Sequence, residues 1–238
     1  MENFDGLTPD EQARLLELEK SVEIDKTRPV IKEDFLSFVK YVWPEFIEGG
    51  HHKKINKKFN DLAQGKIKRL IINMPPRHTK SEFASYLLPA WMVGLDPRLK
   101  IIQATHTADL AIDFGRKTKN LVDQPNYKQL FDTRLMEDSQ AAGKWKTEQG
   151  GEYFAAGVGG AITGRGADLL IIDDPHKEQD IKKDSKSFDK AWNWYTSGPR
   201  QRLQPGGRIV CVMTRWSTKD LTGQLIKAQG EENSDEWE

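Results

Sequence analysis

The sequence predicts an α/β domain with a mainly parallel central sheet flanked by helices, plus helices at its N-terminus. After Gly65, short apolar runs alternate with segments of helical pattern. Helical connections of this kind require crossovers between parallel strands. In addition, polar residues directly follow several of the apolar runs, as ligand-binding residues do at the carboxyl edge of a parallel sheet.

The composition limits the possible functions. A chain of 238 residues can form one large α/β domain with appendages. Its 36 basic and 36 acidic residues balance, so no overall field attracts nucleic acid. The single cysteine, Cys211, excludes an internal disulfide and a Cys-based zinc site, and fits a reducing intracellular setting. No apolar stretch approaches the roughly 20 residues that span a bilayer, so we expect no membrane partner.

Three helices are predicted before the sheet. Thr8-Pro9 supplies an N-cap and a first-turn proline for a charged helix over residues 8–24. Apolar residues at helical spacing predict a second helix within Ile31–Trp43. A third helix begins at His51 and has a basic outer face. The simpler interpretation is an amphipathic helix whose basic face is solvated. The alternative is a segment that contacts adenine, through His52, or that faces DNA.

The alternating region gives the strands and helices of the sheet domain. The predicted strands are Arg69–Asn73, Lys100–Ala104, Leu169–Ile172 and Arg208–Met213. The predicted helices between them are Ser81–Val93, Thr107–Val122 and Ser185–Tyr195. A further strand, Glu152–Ala156, is expected to be antiparallel at an edge of the sheet.

The segment Met74–Ser81 has the layout of a phosphate-binding loop. It lies between a strand and a helix and ends in Lys-Ser, but Met74 and Thr79 replace both glycines of the usual G-x-x-x-x-G-K-[ST] pattern. Lys80 can reach terminal phosphates, Ser81 can hold Mg²⁺, and a helix N-terminus favours an anion. The alternative is a surface turn that contains Lys-Ser by chance. The predicted nucleotide-binding residues are Pro75, Pro76, Arg77, His78, Thr79, Lys80, Ser81 and Glu82.

Two carboxylates follow the apolar run Leu169–Ile172. At the carboxyl end of a buried strand, Asp173 can hold Mg²⁺ opposite the Ser81 hydroxyl, and Asp174 can orient or deprotonate the attacking water. Asp-Asp-Pro also ends strands without any catalytic role. The position of the pair after Lys80-Ser81, with a βαβ pattern between them, favours the catalytic interpretation.

Two further segments supply candidates for sensing and for neutralising charge. Thr214 follows the strand Arg208–Met213, where its hydroxyl can sense a γ-phosphate; ordinary strand termination is the equal alternative. The glycine-rich loop 157–166 carries one cation, Arg165, which can meet phosphate in its own subunit or a neighbour. Arg77 is a competing candidate for neutralising phosphate charge. The alternative for the loop is a flexible hairpin with a solvated Arg165.

Taken together, these motifs resemble the large terminase subunit of tailed bacteriophages, in its N-terminal packaging ATPase domain. The resemblance covers residues 30 to 228. It departs at Thr79, where many relatives keep Gly, and at Asp174, where many have Glu, so that Glu178 becomes an alternative residue for positioning water. The segments that carry it are His51-His52, Ile67–Ser81, Ala104-Thr105-His106, Thr163–Asp168, Ile171–Pro175 and Thr214-Arg215-Trp216.

The resemblance implies an ASCE-type P-loop ATPase that uses ATP and Mg²⁺ to translocate double-stranded DNA into a procapsid. Such motors form rings, usually of five subunits, at the portal vertex in the host cytoplasm, and are no component of the mature virion. Their partners are the portal protein and a small terminase subunit, while the isolated domain can be a monomer. Arg165 is our choice for the arginine given to a neighbour, and Thr214 looks like part of the coupling motif.

The expected organisation is an N-terminal helical extension (1–29), the ATPase domain (30–228) and a linker (229–238). The family's nuclease domain is expected to follow that linker, so no nuclease activity is predicted for these residues. The alternatives are a helicase-like translocase and a non-catalytic nucleotide-binding module. Candidates for contact with DNA phosphates are Lys53, Lys54, Lys57, Lys58, Arg200 and Arg202.

Overall fold

The computed structural model describes residues 8–162, 164–177, 186–232 and 234–238, and it confirms the predicted α/β class. Glu178 and Thr163 lie outside these ranges. The helices are α1 (Pro9–Glu33), α2 (Phe35–Val42), α3 (Gly50–Ala63), α4 (Leu88–Leu95), α5 (Ala108–Asp123), α6 (Pro125–Leu130), α7 (Lys186–Ser197) and α8 (Leu221–Ala228). A π-helical segment (Glu82–Leu87) leads into α4, and a 3₁₀ turn (Pro199–Arg202) follows α7.

Seven strands form one sheet in the order β1-β7-β6-β2-β5-β4-β3. The first five in that order run parallel to one another, and β4 and β3 complete the sheet as antiparallel strands. The strands are β1 (Arg69–Asn73), β2 (Lys100–Thr105), β3 (Leu135–Ala141), β4 (Lys144–Thr147), β5 (Glu152–Gly157), β6 (Ala167–Asp173) and β7 (Leu203–Met213). The four main predicted strands are therefore confirmed.

The register of the parallel strands brings the predicted polar residues to one edge of the sheet. Asp173, at the end of β6, pairs with Val212 on β7 and with Thr105 on β2. Asn73, at the end of β1, pairs with Met213 on β7. In the sheet, β7 lies between β1 and β6. The loop after β1 therefore lies beside the ends of β7 and β6.

The prediction that Glu152–Ala156 lies at an edge is wrong. This segment is β5, which pairs in parallel with β2 and antiparallel with β4. The hairpin of β3 and β4 extends the sheet beyond it. Trp145 on β4 stacks on Tyr153 of β5, with ring centroids 5.0 Å apart, and both rings are buried.

The predicted helix over Ile31–Trp43 is divided at Asp34. There α1 ends, and the Asp34 carboxylate caps α2 by accepting the N–H of Ser37 at 2.8 Å. Its other oxygen accepts hydrogen bonds from the side-chain amides of Asn56 and Asn60 on α3, at 2.6 and 2.8 Å. This carboxylate joins three helices, which gives the break its physical cause.

Apolar side chains cover both faces of the sheet. On one face, α2, α3, the π-helical segment and α4 bring together Phe35, Phe59, Phe83 and Trp91, with Phe35 edge-on to the other three rings. On the other face, Tyr195 and Leu221 belong to a second cluster with residues of β6 and β7. The sheet is thus held between two helical layers.

The described residues next to the predicted domain boundaries contact the sheet domain. α1 is continuous across residue 29, and its Ile31 is buried in the core. Near the other end, Glu238 donates its N–H to the Arg69 carbonyl and accepts the N–H of Ile71, so it pairs with β1. The division of the chain at residues 29 and 228 stays a prediction. Within the described ranges, no helix is long and apolar enough to cross a membrane.

Candidate active site

The loop after β1 contains two non-glycine residues with left-handed backbone conformation. Arg77 has a φ of 64° and Thr79 a φ of 60°. This conformation costs an L-residue about 1–2 kcal/mol, and a β-branched residue adopts it least readily. Thr79, which stands at the usual second glycine, therefore takes a conformation that glycine adopts most easily. Threonine in place of glycine therefore adds backbone strain at position 79.

A buried histidine holds Thr79 in place. The Gly49 N–H donates to His52 Nδ1 at 2.8 Å, so Nε2 carries the ring hydrogen and donates to Thr79 Oγ1, also at 2.8 Å. The Thr79 hydroxyl in turn donates to the His78 carbonyl at 2.6 Å. Burial, followed by His51, lowers the pKa of His52, which keeps the ring neutral. Both nitrogens of His52 are thus engaged within the protein, and its contact with adenine stays a prediction.

Lys80 points to the carboxylates at the end of β6. Its side chain is only 7% exposed, and its Nζ lies 2.8 Å from Asp174 Oδ2. Asp174 has a φ of 41°, and its other oxygen accepts the N–H of Thr214 at 3.0 Å. The Thr214 hydroxyl donates to the Met74 carbonyl at 3.2 Å, which ties the end of β7 to the start of the loop. Lys80, Asp174 and Thr214 therefore lie together in the structure, and their catalytic roles stay predictions.

Ser81 and Asp173 meet beside this group. The Ser81 hydroxyl donates to Asp173 Oδ1 at 3.1 Å, and the hydroxyl of Ser85 donates to Oδ2 at 2.7 Å. Asp173 is 1% exposed; burial first and Asp174 second raise the pKa of its carboxyl from 3.8 to about 7. Ser85, which the sequence analysis missed, stands four residues after Ser81, so it faces the same strand end one turn along the helix.

The oxygen atoms of Ser81 and Asp173 suit Mg²⁺, which prefers hard oxygen ligands and usually keeps several waters. Among the described residues, no group of three or more His, Cys, Asp or Glu side chains could hold a metal ion. A magnesium ion here would therefore depend on substrate phosphates and water for its remaining ligands, as in other phosphoryl-transfer sites.

A cavity of about 440 Å³ opens beside Lys80, at the ends of β7, β6 and β2. His106, at the end of β2, donates from Nδ1 to the Asp174 carbonyl at 3.2 Å. Side chains of both charge signs line the cavity, which suits a phosphate group that binds together with a cation. It is lined by Pro76, Lys80, His106, Asp174, His176, Lys177, Thr214 and Trp216.

Several predicted residues of the loop lie outside this cluster. Pro75 and Arg77 are exposed, and Arg77 forms no ion pair with a described residue. His78 Nδ1 donates to the Pro76 carbonyl at 2.8 Å. Glu82 is turned toward α5, where Lys117 Nζ lies 2.9 Å from its carboxylate. Nucleotide contact by these side chains stays a prediction.

Arg165 lies at the opposite end of the parallel strands from Asp173. It precedes β6, whereas Asp173 ends that strand. Its guanidinium pairs with Glu152, the first residue of β5, and its central carbon lies 3.9 Å from the Phe154 ring centroid. The structure does not bring Arg165 to the phosphate loop of its own chain, so a role in catalysis would require a neighbouring subunit.

The basic residues considered for DNA contact differ in their ion pairing. Lys53 pairs with Glu48 at 3.4 Å, Lys58 pairs with Glu238, and Arg200 pairs with Asp235 at 2.9 Å. Lys54 and Lys57 are exposed and form no ion pair with a described residue. These contacts do not define a DNA surface.

Comparison with known proteins gives a likeness in fold. No protein-family model matches the sequence, and no curated protein matches it. The structure is similar to the crystal structure of the HK97 bacteriophage large terminase, with a TM-score of 0.53 and 14% sequence identity. The likeness covers 83% of this chain and 41% of that one, so this chain spans less than half the length of that terminase. The predicted fold is thus confirmed as terminase-like.

Proposed function

We propose that this chain is the ATPase domain of a viral genome-packaging motor, which couples ATP hydrolysis to translocation of double-stranded DNA into a procapsid. The observation that carries the proposal is the convergence of Lys80, Ser81, Asp173, Asp174 and Thr214 at one end of the sheet. A surface turn would not bury a lysine beside two carboxylates. The likeness in fold to a phage large terminase supports the choice of motor.

In this proposal Lys80 is the switch between the resting and the loaded site. In the structure its ammonium lies 2.8 Å from Asp174 Oδ2. The terminal phosphates of ATP compete for that ammonium, and their binding frees the Asp174 carboxylate to accept a proton from the attacking water. The water oxygen then bonds to the γ-phosphorus as the bond to ADP breaks, giving ADP and phosphate.

Ser81 and Asp173 would hold Mg²⁺, which supplies neutralisation of the negative charge on the phosphates. The hydroxyls of Ser81 and Ser85 fix both oxygens of Asp173, and Mg²⁺ would bind its ionised carboxylate in place of the proton that burial favours. Thr214 bonds at once to Asp174 and to the start of the loop. It is therefore placed to report the state of the site to the segment after β7.

The motor would act as a homo-oligomeric ring, with five subunits the expected number. Arg165 would enter the site of the adjacent subunit, leaving Glu152, while Arg77 is the alternative within the same chain. Such an arginine is worth roughly 10³- to 10⁵-fold in turnover in related NTPases. The partners would be DNA, the portal protein and a small terminase subunit, at the portal vertex in the host cytoplasm. A nuclease domain would belong to the same motor.

The central test separates nucleotide binding from turnover. Lys80→Ala should lose Mg²⁺-dependent binding of a fluorescent ATP analogue, because the phosphates lose their buried cation. Asp174→Asn should still bind the analogue but turn over ATP about 10²- to 10⁴-fold more slowly, because the general base is gone. Lys54→Ala is the matched control, since it removes an exposed lysine without an ion pair and should change neither quantity.

Absence of Mg²⁺-dependent binding in the unaltered protein would refute the proposal and favour a non-catalytic module. The trans role of Arg165 has its own test. Arg165→Ala should keep nucleotide binding and lose turnover, and mixing with Lys80→Ala subunits should restore part of it. If mixing restores nothing, and turnover of the unaltered protein is proportional to its concentration, no neighbour contributes an arginine.

A further inference from the structure

His176 is a buried residue of the cavity for which the catalytic scheme above has no role. It follows Asp174 by two positions, is 5% exposed, and lines the cavity together with Lys80 and Thr214. The ring of Phe188 on α7 packs edge-on against it, with centroids 5.1 Å apart. Packing on this side fixes the ring at the wall of the cavity.

The hydrogen bonds of His176 determine its tautomer. Its Nε2 accepts the N–H of Leu221, the first residue of α8, at 3.0 Å. A ring nitrogen that accepts a hydrogen bond carries no hydrogen, so the neutral imidazole must carry its hydrogen on Nδ1. Burial lowers the pKa of His176 to about 4, so the neutral form prevails at pH 7.

The resulting Nδ1–H has no acceptor among the residues that the structure describes. Nδ1 is buried, and no described residue bonds to it. Buried donors in native proteins are nearly always paired, because an unmade hydrogen bond costs the full desolvation of the group. His176 lines the same cavity as Lys80, so a ligand that fills this cavity can bring the missing acceptor once neighbouring side chains shift to expose Nδ1.

We propose that His176 Nδ1–H donates to an oxygen of the terminal phosphate of a bound nucleoside triphosphate. The inference rests on the proposed function, since it requires a nucleotide with its phosphates at Lys80. It adds a residue that would distinguish a triphosphate from a diphosphate, because only the triphosphate carries the phosphate that the proposal places at His176.

The same ring would connect the terminal phosphate to α8. Asp220, the N-cap of α8, accepts the N–H of Gly223 at 2.8 Å and lies 3.3 Å from Arg215 Nε. With one nitrogen on the phosphate and the other on Leu221, His176 would hold the start of α8 in a position that depends on the phosphate. Arg215 would move with Asp220, in the segment that follows Thr214.

Two variants separate the functions of the two ring nitrogens. Glutamine places a polar atom where Nε2 stands, so His176→Gln keeps an acceptor for Leu221 and loses the Nδ1 donor. Asparagine places one where Nδ1 stands, so His176→Asn keeps that donor and loses the acceptor. Dissociation constants for ATP and ADP with Mg²⁺, measured by titration against a fluorescent analogue, and the thermal midpoint are determined for both.

His176→Gln should weaken ATP binding by about 10- to 100-fold with ADP binding unchanged, as expected for one hydrogen bond to a charged group. His176→Asn should keep the preference for ATP over ADP and unfold at a lower temperature. An unchanged ATP-to-ADP ratio in a folded His176→Gln, with Lys80-dependent binding intact, would overturn the inference and leave the proposed function standing. Loss of the preference in a folded His176→Asn would overturn it as well. No Mg²⁺-dependent binding in the unaltered protein would overturn both.

Discussion

Replacing Asp173 by asparagine should stabilise the nucleotide-free protein although it removes a residue of the active site. The carboxylate is 1% exposed and accepts hydrogen bonds from Ser81 and Ser85. Burial, and after it Asp174, raise the pKa of Asp173 to about 7. Below about pH 7 the folded protein therefore favours the protonated, uncharged acid, whereas asparagine is uncharged at every pH.

The direction and the size of the expected change in unfolding free energy follow from the raised pKa of Asp173. Unfolded aspartate titrates near pH 3.9, so between about pH 4 and pH 7 the folded protein binds a proton that the unfolded chain has lost. The unfolding free energy of the unaltered protein falls as the pH rises through this window. A pKa raised from 3.8 to about 7 corresponds to about 4 kcal/mol above pH 7. The advantage of Asp173→Asn should therefore grow by up to that amount between pH 4 and pH 8.

The assay is urea unfolding in EDTA at several values of pH, with the unfolding free energies extrapolated to water. Asp138→Asn is the matched control, because it makes the same chemical change at an exposed position of β3 and should have an effect within about 0.5 kcal/mol at each pH. A difference between Asp173→Asn and the unaltered protein that stays constant from pH 4 to pH 8 would refute the reasoning about the buried charge.

Two further predictions concern the loop and the sheet. In a double-mutant cycle, His52→Ala and Thr79→Ala should show a coupling of about 1 kcal/mol in unfolding free energy, from their shared hydrogen bond; strictly additive effects would contradict the proposed support of Thr79. Gly115→Ala should destabilise by about 1–3 kcal/mol, because its new Cβ would lie 2.5 Å from the Ala142 carbonyl oxygen, whereas Gly50→Ala, with nothing within 4 Å, is the control and should be neutral or stabilising; equal effects of the two in thermal unfolding would contradict the packing argument.

The sequence predicts the parallel strands because burial on both faces makes them short, continuous apolar runs. It does not reveal β3, where Glu137, Asp138 and Ser139 interrupt the apolar pattern and only pairing with β4 defines the strand. The break between α1 and α2 has a local signal in Asp34, whose capping ability competes with an apolar pattern that continues on both sides. The amides of Asn56 and Asn60, which decide that competition, come from another helix.

The candidate site shows the same division. Lys80, Ser81, Asp173 and Asp174 could be predicted because each stands next to the end of a strand, and parallel strands end together. Their proximity in the structure is consistent with the predicted roles, which stay proposals. Ser85 and His176 could not be predicted in this way, since their positions depend on how the helix after the loop and the start of α8 pack against the sheet.

The pairing of Glu238 with β1 has a consequence for how copies of this domain can meet. An open edge strand offers its N–H and C=O groups to the edge of any neighbouring sheet. Here Glu238 occupies the Arg69 carbonyl and the Ile71 N–H on one edge, while β3 on the other edge carries the exposed charges of Glu137 and Asp138. Both edges therefore discourage a sheet that continues from one molecule into the next. Copies of this domain would therefore meet through side-chain surfaces rather than through paired strands.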